Sequence, residues 1–209
     1  MGEQTVSYSN DTGYLAIPPS GSGPAVIVID EHWGPVPHIR SIADRFAAAG
    51  FVAFAPDLAA PDLAAPGLPA AGDASARLVA GTADELAARP EVTGRVGTVG
   101  FGAGGTLALL AAAESGRLVA AAAFYPDPAP ASGPTGYAGK KVVVHCADGG
   151  VPGVRPLVDG IRAAGGEVVT YTYPGTAPAF FNDDRPEVYD RRAAALAWAR
   201  TLELLRRQL

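Results

Sequence analysis

In a mostly parallel sheet, ligands bind where the strands end at their carboxyl edge, so the residues that follow each apolar run are the first candidates for chemistry. One such run, Ala25 to Asp30 (AVIVID), leads into Glu31, His32 and Trp33. A second, Arg95 to Gly100, leads into Phe101-Gly102-Ala103-Gly104-Gly105. Tyr125 closes a third, Cys146-Ala147-Asp148 a fourth, and the segment from Pro174 to Arg185 follows a fifth. The stretch from Val99 to Gly105 has the form of a nucleophile elbow, G-x-Nu-x-G-G, in which a tight strand-to-helix turn lifts a nucleophile above the sheet. Gly102 stands at its apex, and glycine offers no electron pair. The same residues, G-F-G-A-G-G from Gly100, also satisfy the dinucleotide pattern G-x-G-x-x-G. They do so late in the chain, with only Glu114 near the acidic position that pattern needs, so nucleotide binding is disfavoured.

The elements that must carry these residues alternate between β-rich runs and Ala-rich helical patterns, the sign of a sheet with helices on its faces. Ala25 to Asp30 is apolar throughout, as a strand buried on both faces should be. His38 to Ala49 reads as a helix, with Ile39, Ile42, Ala43 and Phe46 on one stripe and Gly50 at its end. Phe51 to Ala55 is a strand stopped by Pro56. The segment from Ala55 to Gly72 repeats PDLAA at Pro56 and Pro61, which fits a duplication in a surface loop, or a lid over a site. Ala74 to Ala88 reads as a helix, Arg95 to Gly100 as a strand and Thr106 to Glu114 as a helix. Leu118 to Tyr125 and Lys141 to Cys146 read as strands, Val154 to Ala164 as a helix and Glu167 to Tyr173 as a strand. Pro186 to Leu209 reads as a long terminal helix with Pro in its first turn. No linker divides the series, so residues 1–209 are expected to form a single α/β domain.

Composition narrows the function classes. The chain has 209 residues, with 16 Lys+Arg against 21 Asp+Glu for a net charge of −5. A chain of this length buries roughly 70% of its extended surface and needs neither disulfides nor metals to hold a core. The single cysteine, Cys146, allows no disulfide framework and no cysteine zinc site. It reads as a small buried side chain. No basic run offers a footprint for a phosphate backbone, so no nucleic-acid partner is expected. Met1 to Asn10 lacks a secretory signal, and Val6 sits where myristoylation needs Ser or Thr. The longest apolar stretches, such as Leu107 to Ala113, are too short to span a bilayer. The expectation is a cytoplasmic protein with no membrane partner, no metal and no cofactor, acting on a small molecule. The number of subunits is left open.

Four blocks make the resemblance specific: VIDEHWGPVPHIRSIADRFAAAGFVAFAPDL, VGTVGFGAGG, the YPG of Tyr173 to Gly175, and AFFNDDRPEVYDRRAAALAWARTLELL. With these, the chain resembles the dienelactone hydrolase (carboxymethylenebutenolidase) family of α/β-hydrolases from about Pro24 to Leu205. The resemblance implies an α/β-hydrolase fold: an αβα sandwich around a mostly parallel sheet of about eight strands, with a small pocket for lactones or related carbonyl compounds. It also implies a Cys at the elbow, a His in the loop before the last helix, an Asp after a late strand and a Glu after an early one. Glu31 matches the Glu, and Asp148 is the match for the Asp. The Cys falls on Gly102 and the His on Pro178. Covalent catalysis needs a nucleophile and a base to activate it, and these two residues supply neither.

What remains is a carboxylate and a backbone. Glu31, at the end of an apolar strand, is expected to be partly desolvated, which raises its pKa toward a range suited to proton transfer. A strand-end salt bridge with Arg40 or Arg185 is the structural reading of the same residue. The Ala103 amide, at the start of a helix, is expected to face the place of a carbonyl oxygen as an oxyanion hole. Substrate-facing surface is expected from His32, Trp33, Phe101, Gly102, Tyr125, Pro178 and Phe180, with Phe181 assigned to the core. His38 is read as a cap or scaffold residue, His145 as structural, and Asn182 to Arg185 as the cap of the last helix. The first functional reading is noncovalent acid/base chemistry on a lactone- or polyketide-like carbonyl compound, with Glu31 as proton carrier and Asp148 as helper. The reactions in range are isomerisation, cyclisation, dehydration and water-mediated lactone opening. The rivals are a catalytically dead ligand-binding or regulatory module and a residual hydrolase that activates a water.

Overall fold

A computed structural model describes residues 4–7, 12–31, 36–58, 68–128, 136–150 and 154–209. Thirteen elements follow one another along them: β1 (Gln4–Ser7), β2 (Thr12–Ala16), β3 (Gly23–Ile29), α1 (Pro37–Ala48), β4 (Val52–Pro56), α2 (Leu68–Ala87), β5 (Val92–Phe101), α3 (Ala103–Glu114), β6 (Leu118–Phe124), β7 (Lys141–Cys146), α4 (Val154–Ala163), β8 (Glu167–Thr172) and α5 (Arg191–Gln208). The strands form one eight-stranded sheet in the order β1-β2-β4-β3-β5-β6-β7-β8. Pairing is antiparallel for β1 with β2 and β2 with β4, and parallel from β4 through to β8. This is the α/β-hydrolase sandwich anticipated above. The antiparallel pair β1–β2 has no counterpart in the sequence reading, because its short, mixed runs carry no apolar periodicity.

Strand alternation assigns the layers. On β3, Ala25, Ile27 and Ile29 pack into the same cluster as residues of α2, α3 and α4, while Val26 and Val28 pack with those of α1 and α5. Helix α3 is buried along nearly its whole length, Ala103 to Leu109 and Ala111 to Ala112, and is apolar all round, as a central helix must be. Its first turn approaches the sheet closely at Gly104 and Gly105, which carry no side chains. A Cβ on Gly104 would lie 2.3 Å from the Asp30 carbonyl oxygen, and one on Gly100 would lie 2.0 Å from that of Gly104.

The C-terminal helix starts later than its sequence suggests. Asp190 is the N-cap, its carboxylate accepting from the amides of Arg192 and Ala193, so the segment from Pro186 to Tyr189 lies outside the helix. Asn182 instead closes a local turn by accepting from the Asp184 amide. A side-chain cap outcompetes a first-turn proline here because it satisfies two orphaned amides at once. Helix α2, conversely, begins six residues before Ala74, at Leu68. Among the described residues no helix is long and apolar enough to cross a membrane.

Candidate active site

The chain leaves β3 through α1 to β4 on one side, then returns through α2 to β5 on the other. The two neighbouring strands β3 and β5 are therefore followed by helices on opposite faces, the arrangement that opens a crevice at their carboxyl ends. Glu31 and Gly102 are the residues that line it from the two strands.

Gly102 has φ +52° and ψ −123°. A side chain in that region costs about 1–3 kcal/mol and persists only where the surroundings enforce it. The elbow geometry is thus intact at a residue with no side chain to present. Its amide donates to the Phe124 carbonyl at 3.0 Å, and its carbonyl accepts from the amides of Gly105, Thr106 and Asp127. Thr106 Oγ1 donates to the Asp127 carbonyl at 2.7 Å, fastening the end of β6 to α3. A Cβ on Gly102 would lie 3.2 Å from Glu31 Cγ and 3.5 Å from its Cδ, so the Glu31 side chain covers the apex of the turn. Glu31 is half-buried, and its own amide donates to Asp30 Oδ1 at 2.7 Å.

Tyr125 closes the site from the β6 side. Phe124 pairs in register with Phe101, which sets Tyr125 beside Gly102. Tyr125 is buried and holds φ +38°, an uncommon conformation for a residue with a ring. Its hydroxyl is buried and has no hydrogen-bond partner among the described residues. Burial raises its pKa well above 10, the Glu31 and Asp30 charges push it further the same way, and Arg185 opposes them. Asp30 and Arg185 therefore belong to the electrostatics of the site. The sequence reading passed over Asp30, although it stands next to Glu31 in the same strand-end signature.

The remaining residues predicted to form the site are placed as follows. Ala103 opens α3 directly after Gly102. Phe101 is buried, with its ring stacked on Phe181 at 5.4 Å and 4.8 Å from Phe124. Phe180 is fully buried between Tyr125 and Tyr173, at ring distances of 5.5 and 4.9 Å, so it forms the wall behind Tyr125. Pro178 is exposed two residues before it, and Ala179 between them takes φ +67°. Asp148 is exposed, and its two oxygens accept from the amides of Gly149 and Gly175 at 2.9 and 2.8 Å. That carboxylate ties the loop after β7 to the loop after β8. His32 and Trp33 lie outside the described residues, as does much of the Ala55 to Gly72 segment.

The two described histidines, His38 and His145, are held by contacts of the scaffold. His38 sits in the first turn of α1 without capping it, and its Nδ1 lies 3.0 Å from Asp183 Oδ1. Among the described residues His38, Asp183 and Asp184 bring three ligand-type atoms within 4.8 Å of one another. His145 is fully buried on β7, with Nδ1 2.8 Å from the Tyr173 hydroxyl and Nε2 3.0 Å from Thr201 Oγ1. Burial and the nearby Arg200 push its pKa down to about 3, so it is neutral. Arg200 lies over the Tyr171 ring at 3.8 Å and donates to the Tyr173 hydroxyl at 3.2 Å. Cys146 is buried, as expected.

Comparisons with known proteins agree with this architecture. The model of the dienelactone hydrolase family matches residues 12–209. Protein usf of Aquifex pyrophilus is 31% identical over 94% of this chain and 93% of its own. A protein of Aquifex aeolicus (strain VF5), provisionally described as a carboxymethylenebutenolidase, is 30% identical over 89% of this chain and 88% of its own. Among solved structures, a dienelactone hydrolase-like promiscuous phosphotriesterase, P91, from metagenomic libraries superposes with a TM-score of 0.83 at 24% identity, covering 99% of this chain and 98% of its own. With a family match across nearly the whole chain and an elbow turn that keeps its backbone geometry, the chain belongs to the dienelactone hydrolase family.

Proposed function

We propose that this protein performs noncovalent acid/base chemistry on a small lactone- or polyketide-like carbonyl compound, with Glu31 as the proton carrier. The observation that carries the reading is the contact between Glu31 and Gly102: a carboxylate lies over the turn where this fold presents its nucleophile, and that turn is bare. The family's thiol and imidazole positions fall on Gly102 and Pro178, so the covalent route has neither attacking group nor base. A carbonyl compound seated over the turn would meet the Ala103 amide at its oxygen, where the start of α3 favours developing negative charge. Glu31 would take a proton from the carbon next to the carbonyl and return it to a conjugated carbon, a step that releases nothing and consumes nothing. Asp148 supports this arrangement from a distance by joining two loops.

α-Angelica lactone, a β,γ-unsaturated five-membered lactone, separates the readings. Followed by proton NMR, acid/base catalysis yields its conjugated isomer, and water-mediated opening yields levulinate. Glu31→Gln is expected to abolish either reaction. Conversion at an unchanged rate in that variant removes Glu31 from the mechanism. Thermal stabilisation by lactones without any product favours a binding module.

A further inference from the structure

The sheet ends on β8, and that edge is open. No residue from Glu167 to Thr172 is buried, whereas β7 beside it is buried from Val142 to Cys146. The ladder fixes which backbone groups face outward. The Glu167 amide donates to the Lys140 carbonyl at 2.9 Å and the Tyr173 amide to that of Cys146 at 3.0 Å, with the β7–β8 register unbroken between them. Alternate residues of a parallel strand bond the same neighbour, so Val168, Thr170 and Thr172 turn their amides and carbonyls to the open side. Arg162, from α4, donates to the Val168 carbonyl at 3.4 Å. The usual protections of a free edge are absent from β8 itself: it has no proline, no lysine and no bulge, and its one charge, Glu167, stands at its first position beside Lys141. A β-branched and aromatic run in this state is a template for another strand. Side chains alternate as well. Val168 packs with the layer of α2 to α4, and Tyr171 with the layer of α1 and α5. Arg200 lies over the Tyr171 ring at 3.8 Å, so one face of the edge carries Glu167, Val169 and Tyr171 with that guanidinium. Val169 is 48% exposed, and Leu196, one turn before Arg200 on the same side of α5, is 47% exposed.

We propose that β8 pairs with β8 of a second copy of this chain, antiparallel about a two-fold axis at Thr170, so that the two eight-stranded sheets become one. The outward groups meet only in a register that opposes even-numbered residues, and Thr170 is the middle one of the three. On the axis it faces its own counterpart and exchanges both hydrogen bonds with it, while Val168 faces Thr172 and Val169 faces Tyr171. The second copy is the occupant because the patch is complementary to itself. Val169 meets the aromatic ring in the close, non-hydrogen-bonded position, a favourable cross-strand pair. Glu167, negative at one end of the strand, is carried to the end where the other copy's Arg200 covers Tyr171. The axis makes each of these contacts twice. An unrelated strand would satisfy the backbone but not this pair of charges. The contact is also isologous, so it uses up the open edge of both copies and closes at a dimer. In the strand order β5-β6-β7-β8 this surface lies three strands from β5, and the inference does not depend on chemistry at Glu31.

Sedimentation equilibrium of the wild type at micromolar concentration is expected to give twice the 21.2 kDa mass of the chain. A monomer overturns the proposal. Thr170→Pro removes one outward amide and no bond to β7, so it is expected to keep the circular dichroism and melting of the wild type and to sediment as a monomer. A Thr170→Pro dimer as tight as wild type puts the contact elsewhere and overturns the proposal. Val169→Lys decides the matter even where the proline variant fails to fold. It sets a second cation beside Arg200 at both Val169–Tyr171 contacts, and the dimer Kd is expected to rise roughly tenfold or more. An unchanged Kd overturns the proposal. Cross-linking tests the register. With diamide as oxidant, Thr170→Cys on the axis is expected to form a disulfide-linked dimer, its two Cα atoms being about 5.5 Å apart. Thr172→Cys, which faces Val168, is expected to remain a single chain on a non-reducing gel, and the native Cys146 is buried. Equal cross-linking of the two variants, or none in either, overturns the pairing about Thr170.

Discussion

Glu31 Cγ lies 3.2 Å from the point that a Cβ on residue 102 would occupy. The two residues come from different strands, and each explains the other. A residue without a side chain leaves room for Glu31 to lie over the turn, and a Cβ at 102 would require its Cγ methylene to give by a few tenths of an ångström.

Gly102→Ala is therefore expected to act twice. The φ of +52° costs alanine about 1–3 kcal/mol, visible as a lower urea midpoint with an unchanged slope. The new methyl group also requires the Glu31 side chain to shift by a few tenths of an ångström, so under the proposed function conversion of α-angelica lactone is expected to fall further than stability does. A variant as stable and as active as wild type contradicts the contact.

Gly104→Ala tests the seat of α3 rather than the chemistry. Its Cβ would lie 2.3 Å from the Asp30 carbonyl oxygen and 2.7 Å from that of Ile29, all backbone, so nothing flexible can yield. A loss of about 3 kcal/mol or more is expected in chemical denaturation, and insoluble expression would be consistent with it. A loss below about 1 kcal/mol would mean that the helix sits farther from the sheet.

A pre-steady-state assay with 4-nitrophenyl acetate addresses covalent chemistry. Under the proposed function, with glycine at the apex of the elbow, no acyl-enzyme is expected, and 4-nitrophenolate release should be linear from the first turnover. A stoichiometric burst would require an attacking side chain, and mass spectrometry of the adduct would locate it.

His145 makes acid stability titrate. Its pKa is held down to about 3 in the folded protein by burial and Arg200, against 6.5 for an unperturbed imidazole. Between those values the unfolded chain binds a proton that the folded chain refuses. The stabilisation is complete above about pH 6.5 and is lost as pH falls toward 3, at up to about 1.4 kcal/mol per pH unit. His145→Gln keeps a hydrogen-bonding side chain but does not titrate, so its urea stability should decline less steeply with acid across that window. Parallel curves for the two proteins would rule this out.

Much of this architecture was legible because it is local. The unbroken apolar run of β3 and the stripe on α1 declare their elements by period alone, and Gly102 at the apex of the Val99–Gly105 turn is visible to any reader. Asp190 as the cap of α5 was missed because a turn of Asp and Arg residues before it, from Asn182 to Arg185, offered an equally good local signal.

By itself the sequence determined the αβα class and an elbow-like turn with glycine at its apex, since these follow from residue types at fixed spacing along the chain. The tertiary structure alone decided that Glu31 and Tyr125 flank the same glycine, that Asp148 spends its carboxylate on two loop amides, and that His145 is sealed between Tyr173 and Thr201. The physical reason is strand order. Crossovers through α1 and α2 bring β3 next to β5, and β6 follows on its far side, so residues remote in the chain meet at one crevice that no periodicity records.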